Sequence, residues 1–460
     1  MLWRTKSHHS QASEQDLART ASASKNDLSA SATQAAGTAW LAGHLNHLTP
    51  EQEEKLAEFK KVCAEREYYK PAVEAAEGVE AAPASHDDAT MLRFLRARKF
   101  DVEGAWGQFK DTEDWRKENA IEDLYANIGV DSYEAARRMY PQWTGRRDRR
   151  GIPVYVFEIR HLNSKEMAAY NNTMNTGTPD THKSSTVPAR LLNLFALYEN
   201  LLNFVMPLCS ALSRPNPETP IVTSTNIVDV SGVGLKQFWN LKGHMQDASV
   251  LATAHYPETL DRIFIIGAPS FFPTVWGWIK RWFDPVTTSK IFILSAAEVK
   301  PTLTSFMDPT SIPKQYGGEL DWQWGDMPNL DEPAHELLQN LEQPLAEGKD
   351  KKDILKGPIL FKGDKIEVLG TEDGKDRRQI IPVPQVKVQP LAEQVPESKT
   401  QVDSNGNAEP VQETAETPLN AEVESTTAPA PENEKTGLDK VAVNVNQVAS
   451  QEAQTTTAAA

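Results

Sequence analysis

The chain has 460 residues, 48 of them Lys or Arg and 64 Asp or Glu, for a formal net charge of −16. An acidic chain without an extended basic segment excludes general nucleic-acid binding, which needs a basic face to neutralise phosphates. Only Cys63 and Cys209 are present, so no disulfide framework or metal-spaced pair is expected; no apolar run approaches the roughly 18 residues of a membrane span, and no signal-peptide core is found, which together suit a cytosolic protein.

Residues 1–47 are rich in Ser, Ala, Thr, Gln and His and show no sustained period, apart from a weak amphipathic stretch around Trp40. Arg4, Lys6 and Arg19 would suit a transit peptide, and Glu14, Asp16 and Asp27 argue against one. Thr49 as N-cap and Pro50 at the first helical position then predict a helix to about Glu67, with Leu56, Phe59 and Val62 on one face. His86-Asp87-Asp88-Ala89-Thr90 caps a second helix, and Val102 to Glu118 reads as a third with Ala105, Trp106, Phe109 and Trp115 aligned.

From Gly151 the period changes. Ile152–Ile159, Val222–Val230, Arg262–Ala268 and Lys290–Leu294 are short apolar runs typical of buried strands, alternating with helical patterns over 188–212, 235–254 and 273–283. Asn171 to Ser185 is a polar insertion. Gly317-Gly318 closes the compact region, Trp322 and Trp324 pack back on it, and Ile354 to Leu369 adds a strand or two. No aromatic residue follows Phe361, and residues 362–460 hold half of the acidic excess, so that stretch builds no ordinary core. The expected organisation is a disordered segment 1–47, a helical unit 48–125, an α/β lobe with a largely parallel sheet over 126–320, a partly ordered extension 321–390 and a disordered acidic tail 391–460.

Catalytic signatures are absent: there is no G-x-S-x-G, H-E-x-x-H, Walker loop or G-x-G-x-x-G after a strand. Ser231-Gly232-Val233-Gly234 after a strand is ordinary turn chemistry before it is a phosphate loop, and His255 has no nucleophile at recognisable spacing. The unusual segment is Pro269 to Phe283, where Phe271, Phe272, Trp276, Trp278, Trp282 and Phe283 crowd beside Lys280 and Arg281. A core helix would explain it, and so would a helix lying at a bilayer interface.

Several strings resemble a known family: Asp87-Asp88-Ala89-Thr90-Met-Leu-Arg-Phe-Leu-Arg-Ala-Arg-Lys-Phe-Asp-Val102, Tyr140-Pro141-Gln142, Gly151-Ile-Pro-Val-Tyr155, Tyr256-Pro257-Glu258 and Asp284-Pro-Val-Thr-Thr-Ser-Lys-Ile-Phe-Ile-Leu294. In this order, over about residues 50 to 320, the chain resembles the CRAL-TRIO phosphatidylinositol/phosphatidylcholine transfer proteins of the secretory pathway. The resemblance implies a helical unit against a lobe whose sheet floors an apolar cavity, closed by a gating helix at Phe271, Phe272, Trp276, Trp278, Trp282 and Phe283. It implies an inositol-headgroup site at Arg98, Lys99, Glu258, Asp284, Thr287 and Lys290. Taken singly these residues have plainer explanations, such as a helix cap at Asp284-Pro285 or a solvated face at Arg98-Lys99.

The positions matching the family's choline site are Tyr155, Tyr198, Ser224 and Asn226; Thr144, Asn226 and Ala252 stand where phosphatidylcholine binders place Tyr, Thr and Ser. Ser224 and Asn226 are two apart in a strand and share a face, which suits a cavity lining or, more commonly, polar groups bonded to backbone. The second cargo is therefore open between phosphatidylcholine, a sterol and another phospholipid. The implied function is a monomeric, non-enzymatic lipid carrier without metal or cofactor other than its phospholipid cargo, cytoplasmic and touching Golgi or endosomal membranes transiently, in phosphoinositide signalling and vesicle trafficking. The alternatives are a sensor that presents phosphatidylinositol to a lipid kinase, a carrier of another hydrophobic ligand, and a lipid hydrolase using Glu258 or His255.

Overall fold

The computed structural model describes residues 38–75, 80–163, 165–168, 170, 187, 189–282, 285–338 and 355–383. The expectations for residues 1–37, for the insertion 171–185, for Phe283 and Asp284, and for the tail beyond 383 lie outside the described residues.

Thr49 caps α1 (Pro50–Glu65) through a reciprocal pair: Gln52 N donates to its hydroxyl at 3.3 Å, and its own N–H donates to the Gln52 side chain at 3.1 Å. Asp87 caps α2 (Asp88–Ala97) by accepting from Thr90 N at 2.7 Å, and α3 spans Val102–Glu118. The three helices share a core around Phe59, Leu95 and Phe109, with Phe59 and Phe94 in T-shaped contact with Phe109. Next come α4 (Ile121–Asn127) and α5 (Val130–Arg137), whose Ile121, Leu124 and Tyr133 already belong to the core of the following lobe. The boundary expected at residue 125 thus falls inside α4.

In the lobe, β1 (Gln142–Arg147) runs antiparallel to β2 (Pro153–Glu158). There follow α6 (Ala189–Asn200), a π turn at Leu201–Val205, α7 (Met206–Ala211), β3 (Ser224–Asp229), α8 (Leu235–His255), β4 (Leu260–Ile266), α9 (Phe272–Ile279), α10 (Pro285–Ser289), β5 (Ile291–Ile293) and α11 (Ala296–Phe306). Pro207 lacks an N–H and would clash with the carbonyl of Asn203, which accounts for the widened π turn just before it. By length and composition the stretch Leu191–Ala211 would suffice to cross a membrane, but it is mostly buried and carries Glu199 in its middle, paired with Arg116 at 2.6 Å. It is a core helix.

The strands lie in the order β1-β2-β3-β4-β5, and β2 to β5 are all parallel. When parallel neighbours follow one another in sequence, each right-handed crossover lands on the same side of the sheet. Helices α6 to α9 therefore cover one face. The other face is closed by α11 with Ile312, Tyr316, Leu320 and Trp322.

The extension behaves as expected at its start: Trp322 is buried and Trp324 stacks on His161 at 5.4 Å. The chain then pairs with the outer edge of β1, Asn329 N donating to Thr144 O at 2.8 Å and Asp331 N to Gly145 O at 3.3 Å, which covers an otherwise open strand edge. After α12 (Glu332–Leu338), a small sheet has the order β10-β7-β6, from β6 (Ile359–Phe361), β7 (Lys365–Val368) and β10 (Gln379–Pro382), with the two-residue strands β8 (Thr371–Glu372) and β9 (Lys375–Asp376) pairing between them. Here the expectation that nothing after Phe361 enters a core needs correction. Ile366, Val368, Ile381 and Val383 are buried against Phe204, Val205 and Leu208, so aliphatic residues complete a core that the lobe's helix begins. Disorder to residue 47 is likewise overturned for 38–47, where Leu41 and His44 are buried.

Gly145 has φ +88°, and a Cβ there would lie 2.4 Å from the Asn329 carbonyl carbon. Gly145→Ala is expected to lower stability by about 2 kcal/mol or more, where a compatible glycine would tolerate or gain from the change. A urea midpoint equal to that of the unaltered protein would contradict the edge contact.

Candidate functional site

Strand register sorts the sheet's side chains into rows. Val156, Ile227, Phe264 and Phe292 stand side by side on the closed face, and all four are buried. The two flanking rows, Tyr155-Asn226-Ile263-Ile291 and Phe157-Val228-Ile265-Ile293, point to the helix-covered face. Seven of these eight residues are only half-buried, Ile265 being the exception. The roof repeats the pattern: no residue of α8 beyond Leu241 is fully buried, and Met245, Ala248 and Leu251 are apolar and half-buried, as are Trp276 and Ile279 of α9. Apolar side chains that lie beneath helices and still keep accessible surface enclose an internal space.

Tyr155 and Tyr198 border this space. Burial raises both phenols, that of Tyr198 to about 12, yet each side chain retains accessible surface. Tyr198 stacks on Tyr256 at 4.7 Å, whose hydroxyl donates to Glu199 at 2.8 Å. Ser224 is buried and donates to Thr259 O at 3.2 Å, while half-buried Asn226 donates to Ser224 Oγ at 3.0 Å. The ordinary backbone-bonded role thus fits Ser224, and Asn226 is the one that faces the space. Thr144 is fully buried with its hydroxyl donating to Val154 O, away from the space, whereas Ala252 is half-buried in the roof.

At the rim, Glu258 accepts from Arg96 Nη2 at 3.2 Å and lies 3.4 Å from Lys290 Nζ, which also donates to Leu260 O at 3.0 Å. Glu258 sits in the turn between α8 and β4 with φ +56°, and Lys99 and Phe100, just past α2, have φ +52° and +62°. Three of the seven left-handed non-glycine residues among the described residues are therefore gathered in two turns that carry candidate headgroup positions. Arg98 and Thr287 are half-buried; Lys99 is exposed and makes no ion pair among the described residues. The structure joins Glu258 and Lys290 and leaves Lys99 pointing outward; Asp284 lies outside the described residues.

Two residues here were not anticipated. Arg96 Nη1 donates at 2.7 Å to His44 Nε2, and His44 Nδ1 in turn donates to Leu41 O at 3.1 Å. Arg96 follows Leu92 by four residues and so lies on the buried face of α2, a position that demands a carboxylate, and that was the available signal. His44 lay in a segment without periodicity and gave none.

In the aromatic segment, Phe272 and Val275 are core anchors, as a plain core helix would have it. Phe271, Trp276 and Trp278 are half-buried, and Lys280 and Arg281 are exposed. The side chain of Trp282 and the whole of Phe283 are not described.

The sequence profile of the CRAL/TRIO domain matches residues 137–318, and that of the CRAL/TRIO N-terminal domain matches residues 55–111. A SEC14 cytosolic factor from Eremothecium gossypii is 31% identical over 281 residues, spanning 61% of this chain and 80% of the relative. The chain belongs to the CRAL/TRIO family. The phosphatidylinositol/phosphatidylcholine transfer protein SFH7 from Arabidopsis thaliana is 33% identical over 238 residues, which cover 51% of this chain and 40% of that protein. A crystal structure of Sfh5 aligns with a TM-score of 0.42 at 17% identity, over 62% of this chain and 95% of that one.

The five-stranded sheet and helices α6 to α9 lie inside the CRAL/TRIO match, and α2 inside the N-terminal one. His44 precedes both, yet it reaches the rim. Burial first, and then the neighbouring Arg96, lower its pKa from 6.5 to about 3. His255, stacked on Trp115 at 4.2 Å, is lowered to about 4 by burial and Arg116. Both are held neutral in the fold, so their contribution is complete above pH 6.5 and is lost as the pH falls toward those values. His44→Gln, which can still accept from Arg96, should flatten the melting temperature against pH between 6.5 and 4, removing a slope of at most about 1.4 kcal/mol per pH unit. Superimposable profiles would show that His44 does not titrate against folding.

Proposed function

We propose that this chain is a cytosolic lipid-transfer protein that carries one phosphatidylinositol in the space between the sheet and helices α6, α8 and α9, and exchanges it at membranes for a second lipid. The observation that carries this reading is the two rows beneath a helical roof, apolar but for Asn226, in which seven of eight side chains are half-buried. Each CH₂ group is worth about 0.8 kcal/mol on leaving water, so acyl chains quit a bilayer readily only for a space as apolar as this one. The relatives named above are a cytosolic factor and a phosphatidylinositol/phosphatidylcholine transfer protein, not enzymes.

The headgroup lies at the rim. Lys290, Lys99 and Arg98 neutralise the phosphate, Thr287 donates to it, and Glu258 with Asp284 accepts from inositol hydroxyls. Glu258 keeps Arg96 and Lys290 desolvated and aimed before the lipid arrives. The second cargo lies along Tyr155, Tyr198 and Asn226 and is phosphatidylcholine, a sterol or another phospholipid. The segment from Phe271 to Phe283 is the gate, its anchors Phe272 and Val275 holding one side while Phe271, Trp276 and Trp278 shift. The protein acts as a monomer, supporting phosphoinositide signalling and vesicle trafficking at Golgi or endosomal membranes.

Removing Lys290 leaves Glu258 paired with Arg96, and Lys99 is exposed, so a Lys99→Ala/Lys290→Ala chain should fold. With two charge-assisted contacts gone, its transfer of phosphatidylinositol between vesicles is expected to fall by about a hundredfold, with the melting temperature nearly unchanged. Transfer at the original rate by a folded double variant would move the headgroup site elsewhere.

A further inference from the structure

Four large apolar side chains stand exposed among the described residues, and two of them, Leu235 at 50% and Trp239 at 59%, share the first turns of α8 at a spacing of four. Neither belongs to the gate or the headgroup site. The indole of Trp239 makes a T-shaped contact with Trp278 of α9 at 5.9 Å, and Lys242 Nζ lies 5.4 Å from the Trp239 ring. Lys236, Lys280 and Arg281 are exposed nearby, and none of these four cations forms an ion pair among the described residues. No acidic residue occurs from Gly232 to Gln246 or from Gly267 to Phe283, so a local excess of four positive charges stands on a chain of net charge −16.

We propose that this face, Leu235, Lys236, Trp239 and Lys242 of α8 beside Trp278, Lys280 and Arg281, docks the protein on anionic bilayers. Indole rings settle at headgroup depth, unpaired cations meet anionic lipid, and the exposed leucine enters the acyl boundary. Charge complementarity selects a bilayer over an apolar protein partner, since four cations that form no ion pair among the described residues would be left without a counter-charge in an apolar interface. The face adjoins the roof of the internal space, so docking brings that roof to the membrane; in this use the inference rests on the lipid-transfer reading, although the binding itself does not.

The test is co-sedimentation of the full chain with vesicles of phosphatidylcholine alone and of phosphatidylcholine with about one third phosphatidylserine. Binding should be at least about tenfold tighter to the anionic vesicles and should weaken with salt. Lys236→Ala/Lys242→Ala should lose roughly tenfold on anionic vesicles only, and Trp239→Ala should lose affinity for both. Loading with phosphatidylinositol from detergent micelles, measured alongside, should be unchanged in all variants; if no variant or parent loads lipid while anionic binding persists, the carrier reading fails and the docking face stands. Equal binding to both vesicle types, variants that bind like the parent, or a dimer that Trp239→Ala dissolves without any vesicle binding would each overturn the proposal.

Discussion

The whole architecture turns on one constraint, that β2 to β5 are parallel and lie in sequence order. Right-handed crossovers then pile α6 to α9 on one face, and the opposite face can be closed only by elements that come later in the chain. α11 and the segment through Trp322 do so with full burial. The helix-covered face is different in kind, because its helices pack on it at Ile265 and leave the other seven side chains of its two rows half-buried. The row of Val156, Ile227, Phe264 and Phe292 is fully buried, whereas the rows on either side of it, apolar but for Asn226, keep accessible surface at every position except Ile265.

Electrostatics at the rim follow from the same layout. The turn that leads from the roof helix α8 into the floor strand β4 holds Glu258, and α2 of the helical unit ends opposite it with Arg96. A partly buried carboxylate with two cations is a costly arrangement to desolvate, and removal of the shared partner Glu258 would strand both Arg96 and Lys290. It is therefore a joint as well as a candidate binding site, tying unit to lobe. Glu199 makes the second joint from α6, accepting from Arg116 of α3 and from Tyr256. These ion-paired ties hold the roof's far end, while the Trp239 end is tied by uncharged hydrogen bonds from Gln237 Nε2 to the carbonyls of Arg160 and Leu162.

Elements with strong local signals were legible in the sequence. Thr49-Pro50 and Asp87 marked two helix starts, Val102–Glu118 showed its aromatic stripe, and β2, β4 and β5 carried apolar runs as suits a sheet covered on both faces, while β3 is polar at Ser224, Thr225, Asn226 and Asp229. β1 was not legible, since Gln142-Trp-Thr-Gly-Arg-Arg147 is polar and becomes a strand only through its pairing with β2 and residues 329–331. α11 was hidden by Pro301 inside it; of the small sheet, β6 and β7 fall where Ile354 to Leu369 was expected to add a strand or two, whereas β10 and the burial of Ile381 and Val383 against Phe204, Val205 and Leu208 had no local signal. At the site, Glu258 and Lys290 came from family spacing and are together in space. Arg96 and His44 did not, because their role depends on a tertiary contact between segments that no local pattern connects.

The central claim is that the internal space holds lipid, and native mass spectrometry of the purified chain tests it most directly. The account predicts a mass increment of one phospholipid per chain, identified as phosphatidylinositol on fragmentation and replaced when vesicles of another lipid are offered. A chain that stays at its bare mass after incubation with phosphatidylinositol vesicles, while melting cooperatively, would contradict it.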